Sequence, residues 1–68
     1  MATVEIKIEG MTCEHCERAV TKALEAVPGV ERVVTVSRER GAATVEGAPE
    51  VARLIAAVRE EGYRAEAA

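Results

Sequence analysis

Most of the side chains that could bind a soft metal ion fall in one short segment of the sequence, residues 10–16. This segment contains both cysteines of the 68-residue chain, its one histidine and one of its two methionines. Cys13 and Cys16 have two residues between them, and on a helical turn that spacing separates the Cβ atoms by about 5–6 Å. Two thiols this close could both bind one small soft ion, and they could equally form a disulfide.

The cysteine segment lies where a strand is predicted to end and a helix to begin. Apolar and charged residues alternate over Val4–Glu9, as in a half-buried strand, and after Cys16 the apolar spacing changes to that of a helix. The first N–H groups of a helix are unpaired and carry the positive end of its dipole, so they favour thiolates. The pKa of a thiol at this position can fall well below its free value of about 8.5, which makes the metal-binding form available near neutral pH.

The first half of the chain is predicted to form a β-α-β unit. Residues 3–9 form its first strand, which has one face exposed to solvent. The helix that follows has Thr12 as its N-cap and ends at Pro28-Gly29, because proline cannot continue a helix and glycine suits a left-handed exit. Residues 30–37 are rich in β-branched side chains and form the second strand. The apolar residues expected to be buried in this half are Val4, Ile6, Ile8, Ala19, Val20, Ala23, Leu24 and Val27.

The second half begins with a hairpin and continues into another amphipathic helix. A polar turn at residues 38–41 leads into a short third strand at residues 42–46. The second helix follows, with Pro49 in its first turn and Gly62 as its cap. Its buried stripe is predicted to consist of Val51, Leu54, Ile55 and Val58.

The chain is expected to end in a short fourth strand at residues 63–66, after which residues 67–68 fray. The element order is therefore β-α-β-β-α-β. This order predicts a ferredoxin-like α+β fold, in which two helices cover one face of an antiparallel four-stranded sheet. The length and the absence of a linker-like stretch predict that residues 1–68 form a single domain.

The composition argues against several classes of function. The formal net charge is −3, from 12 acidic and 9 basic residues, and the basic side chains are scattered, which argues against nucleic-acid binding. The sequence has no apolar run of about 18 residues and no secretory signal, so we expect a cytoplasmic protein that does not insert into a membrane. In a cytoplasmic chain, two cysteines indicate metal binding or catalysis rather than a structural disulfide.

The segment Gly10-Met11-Thr12-Cys13-Glu14-His15-Cys16 resembles the G-M-[TS]-C-x-x-C signature of heavy-metal-associated domains. That family includes bacterial copper chaperones, mercury-binding proteins and the N-terminal modules of copper-exporting P-type ATPases. The resemblance continues in Pro28-Gly29-Val30 after the first helix and in Glu61-Gly62-Tyr63 after the second, so it covers essentially the whole chain. It implies a role in binding and moving a heavy metal.

By position, the resemblance implies a role for individual residues. Cys13 and Cys16 would be the metal thiolates, and Met11 would anchor the loop in the core. Tyr63 looks like the residue that bacterial copper chaperones place beside the metal loop, where mercury-binding relatives more often have Phe. His15 is similar to the histidine in the second variable position of several bacterial copper chaperones. Both features favour copper over mercury.

The chemistry of the donor atoms narrows the choice of metal. Thiolates select soft ions, so Cu(I), Hg(II) and, less selectively, Zn(II) are the candidates. A structural zinc site needs four protein ligands, whereas this chain offers two thiols and one imidazole, so ions content with two or three ligands fit better.

The roles of three neighbouring side chains stay open at this point. His15 is either a solvated side chain or a third, tuning ligand. Met11 is either core filler or a thioether ligand. Tyr63 is either a packed aromatic residue or a shield that limits the access of solvent and oxidants to the metal.

The predicted function is that of a copper chaperone and not of an enzyme. The protein would bind Cu(I) through Cys13 and Cys16 and pass it by ligand exchange to a copper-transporting P-type ATPase or a copper-responsive regulator. We expect a monomer or a metal-bridged dimer. The Met1 start and the short length favour a free-standing carrier over an excised module of a metal-transporting ATPase or a mercuric reductase.

Two alternatives to copper delivery remain. The first is mercury binding and trafficking through the same two thiolates. The second is a dithiol oxidoreductase, because a thioredoxin-like dithiol also lies between a strand and a helix. That fold is longer, and aromatic and proline residues normally flank its cysteines, whereas Glu14 and His15 separate them here.

Overall fold

The computed structural model describes residues 2–68, which form the six predicted elements in the predicted order. They are β1 (Thr3–Glu9), α1 (Glu14–Glu25), β2 (Val30–Ser37), β3 (Ala42–Gly47), α2 (Val51–Glu60) and β4 (Arg64–Ala67). Within residues 2–68, no helix has both the length and the apolar character that a membrane crossing requires.

The four strands form one antiparallel sheet in the order β2-β3-β1-β4. In the central strand β1, Ile6 lies opposite Ala43 of β3 and Ile8 lies opposite Ala65 of β4. Directly opposed residues share a face of the sheet, and all four of these are buried. Both helices pack on this face, which confirms the predicted ferredoxin-like arrangement.

Aliphatic side chains from the sheet and both helices form one core. Leu24 of α1 and Leu54 of α2 are fully buried at its centre. Val51 was predicted to be buried but is 36% exposed, because it is the first residue of α2 and lies at the margin of the core. Ile55 is half-buried beside the stripe. The buried hydrophobic residues among residues 2–68 are Ile6, Ile8, Met11, Val20, Leu24, Val27, Ala43, Val45, Leu54, Val58 and Ala65.

The start of α1 differs by one residue from the prediction. Cys13 and not Thr12 is the N-cap, because the backbone of Cys13 is extended while its carbonyl accepts hydrogen bonds from the N–H groups of Cys16 and Glu17. The Cys13 side chain makes no capping hydrogen bond. The Thr12 hydroxyl instead lies 3.9 Å from the Cys16 Sγ atom. The prediction of Thr12 as N-cap was therefore wrong.

The prediction for the start of α2 was wrong, and the prediction for its end is confirmed. Pro49 precedes the N-cap Glu50 and is not in the first turn, since the Glu50 carbonyl accepts the first helical hydrogen bonds. At the other end, the Gly62 N–H donates to the Arg59 carbonyl and the Tyr63 N–H to the Val58 carbonyl. This is a Schellman motif with glycine at positive φ, so Gly62 caps the helix as predicted.

The Schellman motif also explains why the last strand begins later than predicted. Tyr63 directs its N–H to the end of α2 and so cannot begin β4, which runs over Arg64–Ala67. Ala67 was expected to fray but pairs with Ile6 of β1. The third strand also extends one residue beyond the prediction, to Gly47.

Candidate metal site

Two free thiols lie close together between β1 and α1. Cys13 is exposed at the N-cap, whereas Cys16 is half-buried in the first turn of the helix. Their Sγ atoms are 3.8 Å apart. A disulfide would require about 2.05 Å, so the pair is present as two thiols. The structure thus brings together the two side chains that the sequence singled out.

The local hydrogen bonds favour the thiolate form of Cys16. They lower the pKa of its thiol from an ordinary value near 9.0 to about 6. The largest cause is a hydrogen bond from the Thr12 backbone N–H, and the second is a hydrogen bond from the Tyr63 side chain, while partial burial opposes both. A pKa of about 6 leaves Cys16 predominantly ionised at neutral pH, which is the form that binds metals.

Tyr63 reaches the site from the end of α2. The hydrogen bond to Cys16 raises the pKa of the Tyr63 phenol to about 12, because the neutral hydroxyl is the form that donates to the sulfur. The half-buried ring packs against the core and lies beside Gly10, where its Cδ1 atom would be 3.4 Å from an added Cβ. Tyr63 is therefore beside the cysteine segment, while its role as a shield stays a prediction.

Met11 is buried, whereas His15 is exposed to solvent. Met11 is 8% exposed and belongs to the apolar core. His15 is exposed and lies in α1 rather than in the loop, where it lines an open cleft with Arg18, Lys22 and Glu61. Within residues 2–68, no three His, Cys, Asp or Glu side chains are arranged to hold one metal ion. A ligand role for His15 stays a prediction.

Two contacts at the site could not be predicted from the sequence. One is the hydrogen bond from the Thr12 backbone to Cys16, which depends on the fold of the loop and not on the identity of the Thr12 side chain. The other joins the carboxylate of Glu17 to Arg38, in the turn between β2 and β3. These residues are far apart in the sequence, so no local pattern could pair them.

The geometry of the two sulfurs suits an ion with few ligands. Metal–thiolate bonds of about 2.3 Å place the sulfurs of a linear two-coordinate site about 4.6 Å apart. The observed separation of 3.8 Å is 0.8 Å shorter than that value. Rotation of the exposed Cys13 side chain could supply the difference while Cys16 keeps its hydrogen bonds. The arrangement can therefore hold a soft ion and leave one side of it open.

Comparison with known proteins identifies the family. The model of the heavy-metal-associated domain matches residues 5–64. The chain therefore belongs to the heavy-metal-associated domain family. This confirms the resemblance inferred from the cysteine segment and its flanking motifs.

Curated relatives include proteins of different overall function. The chain is 45% identical over 65 residues to copper-transporting ATPase 2 of Rhizobium meliloti, covering 93% of the chain and 8% of that protein. It is 47% identical over 62 residues to a mercuric reductase of Serratia marcescens, covering 88% of the chain and 13% of the reductase. The chain thus spans only a small part of these two relatives.

One relative and one solved structure match along nearly their whole lengths. The chain is 36% identical over 66 residues to copper chaperone CopZ of Staphylococcus saprophyticus, covering 93% of the chain and 96% of CopZ. A solved structure of a CopZ metallochaperone superposes with a TM-score of 0.88 at 29% identity, covering 96% of the chain and 100% of that structure.

Proposed function

We propose that this protein is a copper chaperone, which binds Cu(I) through the thiolates of Cys13 and Cys16 and delivers it to a partner in the cytoplasm. Residues 1–68 act as one binding domain and not as an enzyme. The observation that carries the proposal is the pair of Sγ atoms 3.8 Å apart, one exposed and the other ionised near neutral pH. The full-length similarity to a copper chaperone of S. saprophyticus supports it.

The exposed position of Cys13 supports transfer by ligand exchange. An ion held by two sulfurs has room for a third, so a thiolate of the partner can bond to copper before the Cu–Cys13 bond breaks. A second partner thiolate then displaces Cys16. Copper stays monovalent throughout, and each released cysteine returns to its own protonation equilibrium. The ion is never free, so tight binding and fast transfer are compatible.

The proposed partner is a copper-binding domain with a thiol pair of its own, as part of a copper-transporting P-type ATPase or of a copper-responsive regulator. The similarity to the copper-transporting ATPases of R. meliloti supports the first of these. A partner domain of the same family would present a matching pair of sulfurs, so the two sites could share the ion during exchange.

The test is a transfer experiment under anaerobic conditions. The Cu(I)-loaded protein is mixed with the matching segment of the R. meliloti ATPase 2, and the copper content of both is followed after rapid separation. We expect transfer much faster than the loss of copper to a chelator alone. Transfer at the rate of spontaneous dissociation would contradict ligand exchange.

Serine variants test the ligands themselves. We expect Cys13→Ser and Cys16→Ser each to weaken Cu(I) binding by more than about 100-fold, since loss of a supporting group alone typically costs 10–100-fold. The circular dichroism spectrum should stay that of the parent, because neither side chain is fully buried. Unchanged affinity in the double variant would show that copper binds elsewhere.

Mercury trafficking is the second candidate function. The observation that favours it is the 47% identity to a mercuric reductase, which exceeds the 36% identity to the copper chaperone of S. saprophyticus. Two thiolates also satisfy Hg(II), which accepts linear coordination. Competition titrations with Cu(I) and Hg(II), combined with the metal content after anaerobic purification from cells supplied with both, separate the candidates. Mercury as the co-purified metal would favour the second.

A further inference from the structure

The turn between β2 and β3, residues 38–41, contacts the chain on both sides of the cysteine segment. On the strand side, the Ile8 N–H donates a 2.7 Å hydrogen bond to the Gly41 carbonyl. On the helix side, the Glu17 carboxylate accepts a 2.9 Å hydrogen bond from the Arg38 backbone N–H and lies 3.8 Å from the Arg38 guanidinium. The turn therefore contacts both β1, which precedes the cysteine segment, and α1, which follows it.

Apart from the Cys16 side chain, which packs against the core and lies beside Thr12 and Tyr63, the first turn of α1 has few contacts that fix it. Its N-cap makes no side-chain hydrogen bond, and Glu14 and His15 are exposed. Helix ends fray when their first N–H groups lack partners. The first fully buried residue of α1 is Val20, which lies about one turn beyond Cys16. Before Val20, the contact of α1 with the core is made by the partly buried Cys16 side chain.

We propose that Glu17 is a positioning residue for the dithiol: its hydrogen bond to the Arg38 backbone fixes the first turn of α1 and so keeps the Cys16 sulfur beside that of Cys13. We call this contact the Glu17–Arg38 clasp. The clasp acts on the thiols whichever ion they carry. Only its effect on copper retention rests on the proposed function.

The hydrogen bond, and not the ion pair, is the effective part of the clasp. A carboxylate that accepts from a backbone N–H makes a charge-assisted bond, and the Glu17 side chain is only 26% exposed. The Arg38 side chain is 40% exposed, and the 3.8 Å between its guanidinium and the Glu17 carboxylate is typical of ion pairs that contribute little. The Arg38 side chain should therefore be dispensable, whereas the acceptor on Glu17 should not.

Four variants separate the hydrogen bond from the charge. Glu17→Ala removes the acceptor and the charge, whereas Glu17→Gln removes the charge and keeps an oxygen that can accept from the Arg38 N–H. Arg38→Ala keeps the backbone donor and removes the guanidinium. Glu14→Ala is the matched control, because it removes an equal charge from the same helical turn at an exposed position.

The metal-free measurement is amide hydrogen exchange in the reduced protein. The Cys16 and Glu17 N–H groups, which both donate to the Cys13 carbonyl, report on the first turn, and those of Val20 and Leu24 report on the rest of α1. In Glu17→Ala we expect exchange of the first two amides to be about three- to tenfold faster, with the core amides unchanged. Arg38→Ala and Glu14→Ala should stay within about twofold of the parent, and Glu17→Gln, whose neutral oxygen makes a weaker bond than the carboxylate, should exchange faster than the parent but more slowly than Glu17→Ala.

The second measurement is the retention of Cu(I) against a chelator. Glu17→Ala should lose affinity about three- to tenfold, and the loss in Glu17→Gln should be smaller. The proposal would be overturned if amide exchange in Glu17→Ala were unchanged, or if it were faster throughout the whole of α1. Equal losses of Cu(I) affinity in Glu17→Ala and Glu17→Gln would also overturn it. If the parent fails to bind Cu(I), the proposed function fails, while the exchange data still decide whether the clasp exists.

Discussion

The sulfur of Cys13 lies 3.8 Å from that of Cys16, although the two residues differ in backbone conformation and in surroundings. Cys13 is in an extended conformation at the N-cap and is exposed. Cys16 is helical and half-buried, and hydrogen bonding from the Thr12 backbone and the Tyr63 side chain lowers the pKa of its thiol. The pair therefore combines one accessible sulfur with one that the protein holds in place, which is the combination that stepwise ligand exchange needs.

The first prediction concerns the titration of Cys16. In Cys13→Ser the backbone around Cys16 is retained, so the rate of alkylation by iodoacetamide should rise with pH with a midpoint near 6. The measurement is a pH series of that rate in the metal-free protein, with the double serine variant as the control that should not react. A midpoint above about 8, close to that of a free thiol, would contradict the hydrogen-bonded thiolate.

The same pKa predicts how stability depends on pH. The Cys16 thiol loses its proton near pH 6 in the folded protein and near 9.0 when unfolded, so the unfolded state binds more protons between these values. The free energy of unfolding should therefore rise with pH across this window, and the contribution is lost as the pH falls through 6. Comparing urea unfolding of Cys13→Ser with that of the double serine variant isolates this slope.

The second prediction ranks the donors to the Cys16 sulfur. Tyr63→Phe removes the second-largest cause of the lowered pKa, and Thr12→Val removes only the weak contact of the Thr12 hydroxyl. We expect the alkylation midpoint of Cys16 to move upward in both variants, and further in Tyr63→Phe. It should stay below that of a free thiol in both, because the Thr12 backbone N–H, the largest cause, remains. A larger shift in Thr12→Val would reverse the assigned order.

The third prediction separates the two roles considered for Met11. If Met11 is core filler, Met11→Leu should cost less than about 1.5 kcal/mol of unfolding free energy and leave Cu(I) affinity unchanged. Met11→Ala should cost about 2–5 kcal/mol, because the side chain is 8% exposed and its removal leaves a cavity. Urea unfolding and a chelator titration measure the two quantities. A loss of copper affinity in Met11→Leu without a loss of stability would indicate a thioether ligand.

Local sequence patterns were sufficient to predict the elements, because each helix and strand has its own apolar period. The alternation of Ile6 and Ile8 and the helical spacing of Val20 and Leu24 give the same core that the structure contains. The end of α2 was predictable for a similar reason, since Gly62 terminates the helix through contacts within a few residues.

Features that depend on residues distant in sequence, or on the path of the cysteine loop, could not be predicted. Thr12 has the residue type of an N-cap, but the path of the loop gives that position to Cys13. The pairing of Ala67 with Ile6 depends on where β1 lies in the sheet. Glu17 and Arg38 are 21 residues apart in the sequence, so the local pattern around neither residue predicts their contact. The cysteine pair was predictable, whereas its supporting contacts were not.

The fourth prediction uses two glycines with positive φ at which a side chain would meet different surroundings. At Gly62, where φ is +97°, an added Cβ has nothing within 4 Å, so Gly62→Ala should cost only the backbone strain of about 1–2 kcal/mol. At Gly47, where φ is +130°, the added Cβ would collide with the carbonyl oxygen of Gly29. Gly47→Ala should therefore lose at least about 3 kcal/mol, since overpacking against backbone adds to the strain.

Urea unfolding of the two variants measures this difference directly. Gly47 and Gly29 lie where β3 ends beside the start of β2, away from the cysteine segment, so the Cu(I) affinity of any Gly47→Ala that remains folded should equal that of the parent. Gly62 instead precedes Tyr63, and strain at its φ can displace the phenol from the Cys16 sulfur. We therefore expect the mildly destabilised Gly62→Ala, and not the severely destabilised Gly47→Ala, to raise the alkylation midpoint of Cys16. Equal midpoints in Gly62→Ala and the parent would show that the helix cap does not position Tyr63.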